Sequence, residues 1–133
     1  MMDVKRFERF VKEHRIRMHS EPAEANPCIE DWPGATHWRC KLTYQGRQLT
    51  VPYSMGSAHT GKPEIADVLR CLADEAACFE NARDFEDWAR ELGFDPDSRK
   101  AERIFRQVEK NSRGLKRLLG DAYDRLLWRV KRR

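Results

Sequence analysis

Nowhere in these 133 residues does an apolar run approach the roughly twenty needed to cross a bilayer. The opening MMDVKRFERF lacks the apolar core of a secretion signal. A cytoplasmic location without membrane contact is therefore expected. The four cysteines, Cys28, Cys40, Cys71 and Cys78, include no CxxC pair. Cys71 and Cys78 are two helical turns apart on one face and read as small buried thiols. A zinc site would need Cys28, His37 and Cys40 with a fourth ligand, yet the only tight spacing is His37-Trp-Arg-Cys40. Neither a metal nor another cofactor is expected. Also missing are a Ser-His-Asp order with a nucleophile elbow, HExxH, a Walker A loop and GxGxxG. Without them the expectation is a protein that is not an enzyme.

What is present is one domain's worth of chain, residues 1–133, with 40% apolar and 36% charged residues, enough to bury a core beneath a heavily charged surface. Residues 3–14 place Val4, Phe7, Phe10 and Val11 at helical spacing. Arg15 to His19 alternates as a brief strand that Pro22 closes. Glu21 to Gly34 holds three prolines and reads as loop, with Trp32 folding back on the core or meeting a partner. Residues 36–44 alternate Trp38, Cys40, Leu42 and Tyr44 against His37, Arg39, Lys41 and Thr43. Residues 47–53 alternate again after Gln45-Gly46, which makes a β-hairpin. Pro52 cannot donate to a ladder, so the second strand belongs at an edge.

From residue 63 the pattern is helical to the end. Pro63 reads as the first residue of a helix that buries Ile65, Val68, Leu69, Leu72, Ala76 and Phe79. Asp84 opens a second helix with Phe85, Trp88, Ala89 and Leu92 inward, and Gly93 stops it. Asp97 or Ser98 caps a third over residues 99–119, which Gly114 could bend and Gly120 ends. A last helix turns Ala122, Tyr123, Leu126, Leu127 and Val130 inward. The expected fold is α+β: an N-terminal helix, a small three-stranded antiparallel sheet and about four C-terminal helices.

Charge is unevenly laid along this chain. From Ser98 onward 13 Lys and Arg face 4 Asp and Glu, net +9, whereas residues 1–97 hold 13 against 18, net −5. At 100 degrees per residue Arg99, Arg103, Arg106, Lys110, Arg113 and Arg117 share an arc of about 80 degrees. Ala101, Ile104, Phe105, Val108, Leu115 and Leu119 lie opposite. Such a stripe has three readings: a solvated face, a nucleic-acid contact, or a dock for an acidic protein or nucleoprotein surface. A zinc-finger, homeodomain or RNA-recognition signature is absent. The small-residue loop from Ser54 to Gly61, with His59 inside and Lys62 after it, is either a plain connector or a second contact surface. His59 is the best single histidine for acid–base chemistry, although such a residue commonly just bonds a loop carbonyl.

Several motifs go further: Ser54-Met55-Gly56-Ser57-Ala58-His59-Thr60-Gly61-Lys62-Pro63, then Ala66-Asp67-Val68-Leu69-Arg70-Cys71-Leu72, Phe85-Glu86-Asp87-Trp88, and Gly93-Phe94-Asp95-Pro96-Asp97-Ser98-Arg99-Lys100-Ala101-Glu102. Together they resemble a widespread group of small phage and prophage proteins, over roughly residues 36–125. The resemblance implies a phage-encoded accessory protein of the bacterial cytoplasm that binds a host protein or nucleoprotein complex. Anti-CRISPR inhibitors of a Cas effector are the specific case. It carries over no catalytic residues.

Overall fold

A computed structural model describes residues 4–27, 33–56 and 61–131. In chain order these form α1 (Val4–His14), β1 (Arg17–Ala23), β2 (Thr36–Tyr44), β3 (Arg47–Met55), α2 (Ile65–Asn81), α3 (Phe85–Glu91), α4 (Arg99–Leu119) and α5 (Ala122–Lys131). This is the α+β arrangement expected from the sequence. Among the described residues no helix is long and apolar enough to cross a membrane.

The sheet is antiparallel, in the order β1-β2-β3. Gln45 and Gly46, at φ 49° and 78°, supply the two left-handed residues of a two-residue hairpin turn whose twist matches the flanking strands. That turn fixes the register. Cys40 faces Ser20 and Val51, and Leu42 faces Met18 and Leu49, which puts the apolar alternates on the core side. Pro52 sits on the edge strand β3, as its missing N–H requires.

β1 departs from expectation at both ends. It starts at Arg17 because α1 closes in a Schellman motif: Arg15 is left-handed (φ 54°), its N–H reaches the Lys12 carbonyl at 3.4 Å, and the Ile16 N–H reaches Val11 at 3.1 Å. Ile16 is thus buried by the helix end, outside any strand. At the other end β1 continues through Pro22 to Ala23, which an edge strand tolerates because one of its sides forms no ladder.

Helix α2 is the hub, packed against α1, α4 and α5. The main core joins Phe7 and Phe10 of α1, Leu42 and Val51 of the sheet, Leu69 of α2, Leu115 and Leu118 of α4 and Leu126 of α5. A separate aromatic cluster lies between α3 and the first half of α4, where Trp88 stacks on Phe94 at 5.5 Å and meets Phe105 edge-on at 5.1 Å. Two local expectations are corrected here, and a third residue shows its role. Pro63 precedes the helix it was expected to begin: Glu64 is the N-cap and accepts the Asp67 and Val68 N–H groups at its carbonyl. Leu92, expected inward, is 45% exposed, because closure at Gly93 swings Phe94 over Trp88 in its place. Gly114, buried within the continuous α4 where the helix meets β3, makes a close contact: a Cβ there would lie 2.4 Å from Leu49 Cδ1.

Candidate docking surface

The start of α4 is fixed by Ser98, whose Oγ accepts the Ala101 N–H at 3.0 Å. Its far end is fixed by Arg47 of β3, whose Nε donates to the Leu118 carbonyl at 2.8 Å, satisfying a terminal acceptor. With both ends held, and Ile104 and Val108 buried, the opposite face has one orientation. That face forms one wall of a trough whose other side includes Glu24, Ala25 and Pro27, just after β1. Two cavities, of about 550 Å³ and 740 Å³, adjoin at Pro27, Gln107 and Lys110, which line both. The first is lined by Arg99, Arg103 and Arg106; the second extends to Trp38, Arg39 and Thr50 of the sheet. Across both, five cations (Arg39, Arg99, Arg103, Arg106, Lys110) oppose two carboxylates (Glu24, Glu102).

The structure divides the six-cation stripe. Arg99, Arg103, Arg106 and Lys110 line the trough, while Arg113 and Arg117 are exposed beyond it. Arg106 pairs with Glu102 and Arg113 with Glu109, each one turn apart on the helix, yet their side chains remain 74% and 67% exposed. Such pairs contribute about 0.3–0.5 kcal/mol each and give way readily to another anion. Arg103 donates from Nε to the Pro27 carbonyl at 3.3 Å, pinning the trough's rim. Among the described residues no salt bridge engages Arg99, Lys110 or Arg117. Lys62 is exposed ahead of α2 and lines neither cavity. His59 lies outside the described residues, as do Cys28 and Trp32.

Among the trough residues not singled out as site residues from the sequence are Gln107, Arg39 and Trp38. Gln107 sits just beside the cationic arc on the wheel, so widening the arc would have found it. Arg39 was grouped with the polar alternates of β2, and it stays on that exposed face, 3.6 Å from the Glu21 carboxylate of β1, while packing places it in the wall of the same cavity as Lys110. Trp38 was assigned inward, and it does pack against the main core while also lining the trough. Its indole N–H donates to Thr36 Oγ1 at 3.2 Å, which fixes the ring's orientation.

Below the trough runs a polar seam. Gln107 Nε2 donates to Asn111 Oδ1 at 2.8 Å, and Asn111 Nδ2 approaches Glu75 Oε1 at 3.5 Å. Cys71 Sγ lies 3.8 Å from Glu75 Oε2. Burial raises the Glu75 carboxyl above its ordinary value, with the Asn111 and Cys71 contacts acting against that rise. The Cys71 thiol is pushed up to about 12 by burial and by the adjacent Glu75, which makes it a poor nucleophile near neutrality. Burial likewise raises the Cys40 thiol, 3.8 Å from Ser20 Oγ.

Among the described residues no group of three or more His, Cys, Asp or Glu is placed to hold a metal. His37 and Cys40, the tight pair of the zinc reading, point to opposite faces of β2, as three-residue spacing on a strand requires. His37 Nδ1 is instead 2.7 Å from Ser54 Oγ, which also accepts from Asn26 Nδ2 at 3.0 Å. A serine within reach of a histidine is one ingredient of nucleophilic catalysis. Neither residue lines the trough, and the bonds hold Asn26, next to the rim residue Pro27. Searches against protein-family models, curated proteins and solved structures find no match to this chain.

Proposed function

We propose that this protein works by binding rather than by catalysis, and that the basic face of α4 is where an anionic macromolecular surface docks. One observation carries this reading: four cations on a single rigid helix line an open trough, and the carboxylate pairing within it leaves Arg106 mostly exposed. A broad charged trough suits a macromolecule better than a small substrate, whose sites are enclosed and mostly apolar. Arginine forks on a fixed helix favour carboxylate or phosphate partners. The phage-family motifs extend the proposal to a bacterial nucleoprotein complex met in the cytoplasm, with inhibition of a Cas effector as the specific form.

Copurification from bacterial lysate, read by mass spectrometry, tests the proposal. Wild-type protein is expected to retain a defined complex, and the triple variant Arg106→Glu, Lys110→Glu, Arg113→Glu is expected to lose it while keeping its melting temperature. Identical capture by both proteins, or capture of nothing above background, would sink the proposal.

A further inference from the structure

Gln107 lines both cavities of the trough and also heads the polar seam beneath it. Along that seam the hydrogen bonds run one way: Gln107 Nε2 donates to Asn111 Oδ1 at 2.8 Å, and Asn111 Nδ2 donates toward Glu75 Oε1 at 3.5 Å. This is the sense an ionised carboxylate imposes, since it can only accept. The other carboxylate oxygen, Oε2, lies 3.8 Å from Cys71 Sγ and takes its S–H. Burial and the adjacent Glu75 push that thiol up to about 12, so it keeps its proton and stays a donor near neutrality. A proton arriving at Glu75 therefore goes to Oε1, the oxygen beside Asn111, and turns that end of the chain into a donor. The Asn111 amide answers by rotating its terminal group, so that Oδ1 accepts from Glu75 and Nδ2 donates to Gln107. Gln107 rotates in turn and accepts at Oε1. With Glu75 ionised, Gln107 spends an amide N–H on the seam; with Glu75 protonated, both of its N–H groups are free for an anion in the trough.

We propose that Glu75, Asn111 and Gln107 form a proton-linked relay to the trough: one proton taken from solvent at Glu75 Oε1 reverses the hydrogen-bond chain and strengthens anion binding beside Gln107. The proposal rests on the docking reading above and names the regulation of that site. The groups that act on Glu75 are Cys71 and Asp74 of its own helix and the Asn111 amide of α4; none is a cation, and none comes from α1 or α5. Arg70 of α2 and Tyr53 of β3 interact with Cys71 rather than with Glu75. Burial holds the Glu75 carboxyl above its ordinary 4.5, so the relay turns as pH falls through that raised value. Anion affinity then rises as pH falls, and by reciprocity a bound anion makes Glu75 take its proton at higher pH.

A short rhodamine-labelled dextran sulfate, whose sulfates keep their charge throughout, is the probe for fluorescence anisotropy with the full-length protein at about pH 7.5 and about pH 5 and fixed ionic strength. Histidine protonation strengthens binding in every variant alike, so the relay is read as the difference from Glu75→Gln, which is neutral at both values and can donate from its amide as the protonated acid does. Wild-type affinity is expected to rise about fivefold or more beyond the rise in Glu75→Gln. Gln107→Leu keeps Glu75 but cuts the chain at the trough, and its rise should match that of Glu75→Gln. A wild-type excess that survives Gln107→Leu would mean that Glu75 acts through its charge alone, and overturns the relay. A second measurement needs no variant: a carboxyl-carbon NMR titration of Glu75 in the wild type should show its midpoint about 0.7 pH unit higher with unlabelled probe bound, the counterpart of a fivefold change. An unmoved midpoint, or equal rises in wild type and Glu75→Gln, overturns the relay. Absence of probe binding at both pH values overturns it too. Where charge-dependent capture of a complex from lysate then persists, the docking reading stands without this regulation; where capture is also absent, both fall.

Discussion

The two halves of α4 do different work within one continuous helix. From Asn111 to Leu119 it is buried on most sides: Asn111, Ser112, Gly114, Leu115, Leu118 and Leu119 are all withdrawn from solvent among α2, α5 and β3. From Arg99 to Lys110 only Ala101, Ile104 and Val108 are buried, the last two in the cluster around Trp88, and much of the remaining surface is cationic and faces the trough. The second half fixes the helix in space; the first half uses that fixity to present charge. A docking face on a helix anchored elsewhere loses little entropy when it binds, which is the advantage of preorganisation.

The sharpest way to break this comparison is to remove one buried side chain from each half's packing. Leu118→Ala in the main core and Trp88→Ala in the aromatic cluster are each expected to cost about 3–5 kcal/mol in urea denaturation. Their hydrogen-exchange patterns should differ. Trp88→Ala should expose α3 and the first half of α4 while α2 and α5 stay protected, whereas Leu118→Ala should lower protection throughout. Uniform loss in both variants would mean that the two clusters unfold as one unit. Gly114→Leu is a milder insult, expected to cost about 1–3 kcal/mol by overpacking against Leu49. It should be visible as a lowered melting temperature, while an unchanged or higher one would show that Leu49 yields freely.

The seam between the halves gives the smallest effect and a pH signature. Burial raises the Glu75 carboxyl above its ordinary 4.5. A carboxyl whose folded value is raised supports the fold fully below the unfolded value and loses that contribution as pH rises through the folded one. Glu75→Gln, neutral throughout, should therefore raise the melting temperature at pH 7 and leave it nearly unchanged near pH 4. A variant that melts lower at pH 7 would show that the charge on Glu75 is needed where it sits.

Much of this was written in local sequence. Periodicity placed α4 at residues 99–119 and its inward residues, Gln45-Gly46 placed the hairpin, and Ser98, Gly93 and Gly120 marked helix ends, because each depends on interactions within a few residues. The cationic arc was equally legible, being a consequence of 3.6 residues per turn. Three-residue spacing on a strand already argued against pairing His37 with Cys40 around a metal.

What sequence spacing could not settle was anything joining residues far apart in the chain. That α1 would close through a left-handed Arg15 depended on burying Ile16, and that Gly114 would be a point of close contact depended on Leu49 arriving from β3. The same holds for the trough. Helical geometry by itself put six cations on one face, but only the packing of α4 beside the sheet selected four of them, added Arg39 and Trp38, and left Arg113 and Arg117 outside. Local chain geometry decides which way a side chain points; what it points at is decided by the burial of apolar surface among elements distant in sequence.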